Sequence, residues 1–229
     1  DNSLYLGNNP SSTTSTAEYN VAVGITALDA VTTGDKNTAV GSDALTNNTT
    51  GSYNSALGWY ALFRNTTGTW NSAVGLKAME DNTTGQYNSA LGTFSLKDNT
   101  TGSGNSALGY RALESNISAN NNTAVGYSAL ADNTTGIGNT SSGMYSLYTN
   151  TSGDYNTASG YNALRNNTTG NYNTAMGYEA GRNITTGSNN TALGDEAGDL
   201  ITTGSNNTII GYDADPSANN ASNQIVIGK

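Results

Sequence analysis

The chain has no cysteine, no histidine and two prolines, and its 229 residues include only eight Lys and Arg. Absent Cys rules out disulfide staples and leaves the redox compartment open. Absent His and Cys also remove the commonest general bases and thiol nucleophiles, so the reading is that of a non-enzyme with no cofactor. The cations are scattered among 17 acids, for a net charge of −9. No basic stripe could track phosphates, which argues against nucleic acid as a partner. No apolar run approaches the roughly 18 residues of a membrane span, so none is expected in this segment. Hydrophobic residues make up 34%, low enough to raise disorder as an alternative.

Disorder does not fit the regularity. Glycine recurs every 17 residues, from Gly7 and Gly24 through Gly41, Gly58, Gly75, Gly92, Gly109 and Gly126 to Gly228, without an insertion. Asparagine stands four places before it in twelve of these copies. So strict a spacing means that each copy stacks on the last, because a length change in one would break the stack. Counted from the asparagine, the unit reads N-[ST]-A-[VL]-G-Y-x-A-L-x-x-N-T-T-G-x-Y. Seventeen residues are too few for the common helix-pair repeats, and the glycine and the turn block leave too short an interval for a stable helix. The unit suits one turn of a β-solenoid, with a strand at positions 2 to 4 and a corner at the position-5 glycines. Asn-Thr-Thr-Gly at positions 12 to 15 forms the second turn.

These features predict an all-β solenoid, or β-roll. It is a single repeat domain over 1–229 with about thirteen coils, spanning roughly 60 Å at one strand spacing per coil. The first coil, 1–19, and the last coils, 178–229, diverge. Position 9 changes from Leu to Gly at Gly181 and Gly198, and position 12 from Asn to Ile at Ile184 and Ile201. Both ends are apolar where solenoids use polar caps, so the expectation is a piece of a longer protein, its last coils leading to a further C-terminal domain.

Strand residues alternate between two faces. Position 4, the most apolar, is expected inside, together with the Ser or Thr of position 2. Position 3 then points outward, and it is Ala in ten copies, including Ala39, Ala56, Ala73, Ala90, Ala107 and Ala124. A solvent-facing column would drift to polar residues, so this face is assigned to contact with other copies in a parallel, in-register homo-oligomer. The alternative is a monomer whose Ala column lines a thin coil.

Aromatic residues flank the strand at positions 6 and 17. Trp59, Tyr110, Tyr127, Tyr161 and Tyr178 (position 6) and Tyr53, Trp70 and Tyr87 (position 17) are candidate glycan contacts, since such rings can stack on sugars. They could equally pack over the corners. The carboxylates at Asp195, Glu196, Asp199, Asp213 and Asp215 invite a glycosidase reading, but they lie in the divergent last turns, where polar loops are expected; a Ca²⁺ reading meets no ligand spacing that recurs between copies. The asparagine columns suit amide ladders between stacked coils. Many also match the N-x-[ST] acceptor pattern, which turn chemistry explains without a sugar. Thr pairs in the turns raise ice binding as a further class.

The N-[ST]-A-[VL]-G coil resembles the S-V-A-I-G coil in the heads of trimeric autotransporter adhesins. The fuller form, NTAVGYSALADNTTGIG at 122–138, is similar to repeats in bacteriophage tail-fibre proteins and related bacterial fibres. The resemblance covers the chain from about Ser3 to Gly228. It implies a homotrimer of parallel β-rolls, extracellular, on a virion tail fibre or a bacterial surface, adhering to cell-surface glycans or a receptor. Autotransporter head coils are usually shorter, and neither that family's membrane anchor nor the phage fibres' chaperone domain is in the sequence. The expected role is a structural and adhesive fibre segment; the alternative is a monomeric β-solenoid that binds ice or carbohydrate.

Overall fold

The computed structural model describes residues 3–7 and 16–228; residues 8–15 of the divergent first coil lie outside this range. The chain is an all-β parallel solenoid of about thirteen 17-residue turns, with no helix among the described residues. It divides into two compact units, Asp1–Ser118 and Ala119–Lys229. The first holds β1 (Leu4–Leu6), β2 (Val21–Val23), β3 (Thr38–Val40), β4 (Ser55–Leu57), β5 (Ser72–Val74), β6 (Ser89–Leu91) and β7 (Ser106–Leu108). The second holds β8 (Thr123–Val125), β9 (Thr140–Ser142), β10 (Thr157–Ser159), β11 (Thr174–Met176), β12 (Thr191–Leu193), β13 (Thr208–Ile210) and β14 (Ile225–Ile227). Within each unit successive strands pair in parallel with every residue opposite its counterpart 17 places on, as Ala56 faces Ala73 and Ala158 faces Ala175.

Only three residues per turn are strand, yet hydrogen bonds tie the whole circumference to its neighbours. In the turn starting at Asn54, Ser55 N–H donates to the Asn71 carbonyl at 2.8 Å and Gly58 N–H to Val40 at 2.9 Å. Further round, Leu62 N–H reaches Ala78 at 3.0 Å, Thr66 N–H reaches Thr83 at 3.0 Å and Trp70 N–H reaches Ser52 at 3.2 Å. No stretch of the turn is left as a free loop, which is the physical reason that the 17-residue spacing admits no insertion.

The return path, positions 6 to 11, is a run of turns rather than a second straight strand. Its backbone is left-handed at positions 7 and 9, as at Tyr60 (φ 59°) and Leu62 (φ 52°). Alternating handedness points successive N–H groups up and down the axis: Tyr60 donates back to Ser42 and Leu62 forward to Ala78. A left-handed non-glycine residue costs on the order of 1 kcal/mol, and it persists here because inter-turn bonds on both sides determine it.

The interior corrects one expectation from the sequence. The position-3 alanines point inward: Ala39, Ala56, Ala73, Ala90, Ala107 and Ala124 are buried within the single chain and cannot be the face on which another copy packs. Position 4 points outward, with Leu57 51% and Leu91 51% exposed. The reason is the return path. Leu28, Leu45, Leu62, Met79, Leu96, Leu113, Leu130, Leu147 and Leu164 at position 9 are all fully buried. A flattened coil has room for one large side chain per turn, and that space is taken by position 9. The strand must therefore offer its smallest residue to the inside.

The last turns show the same packing by exchange. At Gly181 an added Cβ would lie 3.1 Å from both Leu164 Cδ2 and Ile184 Cδ1, and 3.6 Å from the Ala175 Cβ. Ile184, three residues on and buried, thus fills the space that a position-9 leucine would take. Gly198 and Ile201 repeat the exchange, with Ile201 Cδ1 at 3.4 Å. Glycine also relieves the left-handed backbone at this position, where φ is 58° and 67°.

Candidate interaction surface

Two buried amide ladders brace the strand. At position 1, Asn71 Oδ1 accepts the N–H of Asn88 at 3.0 Å, while its Nδ2 donates to the Gly85 carbonyl at 2.8 Å. At position 12, Asn82 Nδ2 donates to Asn65 Oδ1 at 2.7 Å, and Asn99 Nδ2 to Asn82 Oδ1 at 2.8 Å. Position 15 must stay small beneath this second ladder, since a Cβ on Gly68 would lie 2.3 Å from Asn65 Oδ1. The ladder stops where Ile184 replaces asparagine, and Asn167 Oδ1 is left buried without a donor. The N-x-[ST] asparagines of this column, Asn48 to Asn167, are buried, with their amide nitrogens engaged in the fold.

The outward strand face is the opposite in character. In the first unit position 4 reads Leu6, Val23, Val40, Leu57, Val74, Leu91 and Leu108; in the second it reads Val125, Ser142, Ser159, Met176, Leu193, Ile210 and Ile227. Position 2 beside it is Ser or Thr in all but three strands, where it is Leu4, Val21 and Ile225. Fourteen strands with two outward positions each give 28 such sites, and none carries a charge. At the chain's 11% charged content about three would be expected there. Seven strands of three residues, at about 4.8 Å and 3.3 Å spacings, make a face of roughly 330 Å² per unit. In the first unit the position-4 column, Leu6 to Leu108, is an unbroken apolar stripe on this face, and exposed apolar surface of this kind marks interaction sites. The signal was legible in the sequence: two adjacent columns without a lysine or a glutamate.

The eight candidate aromatics are all exposed, but they do not form one site. Tyr53 and Trp70 stack on each other, with ring centroids 4.0 Å apart and planes 3° from parallel. Lys36 Nζ donates to Tyr53 Oη at 3.2 Å, which holds its ammonium above the ordinary lysine range. Trp59 packs edge-on against Tyr60 at 4.5 Å, with Lys77 Nζ 5.7 Å from the Trp59 ring. Tyr110 meets Phe94 at 6.0 Å and Tyr127 meets Tyr145 at 5.4 Å, both edge-on. Tyr161 and Tyr178 stack at 5.4 Å. Tyr87 is 63% exposed, among the described residues no ring packs against it, and it is followed one turn on by Gly104. Stacked pairs spend a face on each other, so Tyr87 offers the most open ring of the eight.

The acids of the last turns are held by the fold. Asp215 Oδ1 accepts the N–H of Leu200 at 3.0 Å, and Asp199 lies 4.0 Å from Arg182. Burial, and then Asp215 beside it, push the Asp199 carboxyl above its ordinary value, against the pull of Arg182. Among the described residues no three His, Cys, Asp or Glu side chains are placed to share a metal ion. Compared with family models, curated proteins and solved structures, the chain gave no match.

Proposed function

We propose that the chain is a structural and adhesive fibre segment, extracellular, on a virion tail fibre or a bacterial surface. Three copies associate in parallel and in register through the outward strand face and hold a binding end away from its base. The observation that carries this reading is the uncharged face of positions 2 and 4. A solvated strand face normally carries lysine and glutamate, whereas one covered on both sides does not. A partner with the same strand spacing matches it turn for turn, and a second copy is the simplest such partner. The resemblance of the N-[ST]-A-[VL]-G coil to adhesin heads and tail-fibre repeats supports the same role. Glycan or receptor contact falls to the exposed rings, Tyr87 first.

Light scattering on the eluting protein tests this: three chain masses are expected for the native sequence. Leu57→Asp/Leu91→Asp should give one chain mass with an unchanged far-UV spectrum, because both side chains stand outside the core. A native protein of one chain mass would overturn the trimer. The second reading, a monomeric ice- or carbohydrate-binding solenoid, draws on one observation. In the second unit Thr123, Thr140, Thr157, Thr174, Thr191 and Thr208 form an unbroken column on the strand face. A single-chain mass together with thermal hysteresis would favour it.

A further inference from the structure

A stack of near-identical turns poses a problem for its own assembly. Two copies in parallel can slide past each other by whole turns, and each slip again sets strand against strand. Only the end turns lose contacts. An apolar stripe alone does not select the true register. The first unit has such a stripe, with Leu or Val at every position 4.

The second unit does not. Between Val125 and Met176 the outward residues of β9 and β10 are Thr140, Ser142, Thr157 and Ser159. Two consecutive turns thus carry four hydroxyls and no apolar side chain on this face. Among the described residues none of the four hydroxyls has a hydrogen-bond partner. The change is not a loosening of the turn. Inside β9, Ser141 Oγ donates to the Ser146 carbonyl at 2.8 Å, and Ser146 Oγ donates to the Gly143 carbonyl at 2.9 Å.

We propose that these two turns set the register of the homo-oligomer, acting as a hydroxyl layer that matches only its own counterpart in another copy. In register, Ser142 and Ser159 meet hydroxyls across the interface, which bond to one another directly or through water. A slip of one turn sets Ser159 against Met176 or Ser142 against Val125. A slip of two or more sets both serines against apolar side chains, where a buried hydroxyl without a partner is costly. A polar layer in an apolar seam selects register in the same way in coiled coils. The inference rests on the trimer proposed above, and its occupant is a second copy of this chain.

The chain has no cysteine, so one introduced at the exposed Thr186 carries a spin label without background. For Thr186→Cys in the native sequence, pulsed dipolar spectroscopy should give one narrow interchain distance. Adding Ser142→Val and Ser159→Leu restores the residues common at this position, so the turns should still form. Mass should stay at three chains, while the distances should broaden into several populations offset along the axis by multiples of about 4.8 Å. Ser142→Thr/Ser159→Thr keeps the hydroxyls and should keep the single distance. A Val/Leu variant with the single native distance would overturn the hydroxyl layer and leave the trimer standing, as would several distances in the native sequence. A single-chain mass would remove both.

Discussion

Gly75→Ala is expected to destabilise the protein by about 4 kcal/mol, more than any single outward substitution. The added Cβ would lie 2.6 Å from both the carbonyl carbon and oxygen of Gly92 and 3.1 Å from Thr93 N. These are backbone atoms of the next turn, and they cannot swing aside as a side chain can. The backbone at Gly75 has φ +134°, a region that L side chains rarely enter. Strain of this kind costs roughly 1–3 kcal/mol and overpacking about as much again. The loss is a large share of the 5–15 kcal/mol that stabilises a typical domain. Nearest-neighbour coupling should spread it, so amide protection should fall in the turns on either side. Urea unfolding with hydrogen exchange measures both. A shift under about 1 kcal/mol would mean that the turns are not in backbone contact at this corner.

The second large effect is expected at the position-1 ladder and depends on pH. Asn71 is fully buried, accepting from the Asn88 N–H and donating to the Gly85 carbonyl. Asn71→Asp keeps the shape. A protonated carboxyl can make both bonds, but an ionised one loses its donor and is a charge buried without a cation. Its folded-state pKa is therefore raised above the unfolded value near 3.9. With a raised folded pKa, the variant is closest to the native sequence below about pH 4. It loses about 1.4 kcal/mol per pH unit as pH rises from there toward the folded pKa. At pH 7 the deficit should be on the order of 4 kcal/mol. Urea midpoints for both proteins at pH 3 and pH 7 check this, and a deficit equal at the two pH values would count against a sealed ladder.

Most of the architecture was legible in residue order alone. The unbroken 17-residue glycine period, the asparagine phase and the Asn-Thr-Thr-Gly block are each consequences of a contact one turn away. They read as a solenoid because no loop is free to absorb an insertion. Which strand face turns inward was not legible. Period-2 alternation separates position 3 from positions 2 and 4, but does not say which side is the core. That choice is made by the return path, where Leu62 and its equivalents enter the interior from a left-handed backbone that matches no helix or strand period. Position 4 looked like the core because it is apolar; it is apolar and half-exposed. The exchange of Leu and Asn for Gly181 and Ile184 was visible as a change of pattern, but its meaning as one space filled from two positions required the geometry. The candidate aromatic residues stand exposed, and their pairing into stacks depends on ring orientation, which no spacing encodes.

The inward alanine and the inward position-9 residue are the centre of this account, and methyl-labelled NOE spectra test them most directly. Leu62, Met79 and Leu96 methyl groups should show cross-peaks to the β-methyls of Ala56, Ala73 and Ala90, and none to the methyls of Leu57 or Leu91. Strong cross-peaks from Leu57 and Leu91 to the position-9 methyls, with the alanine methyls lacking them, would turn the strand over and remove the outward apolar face.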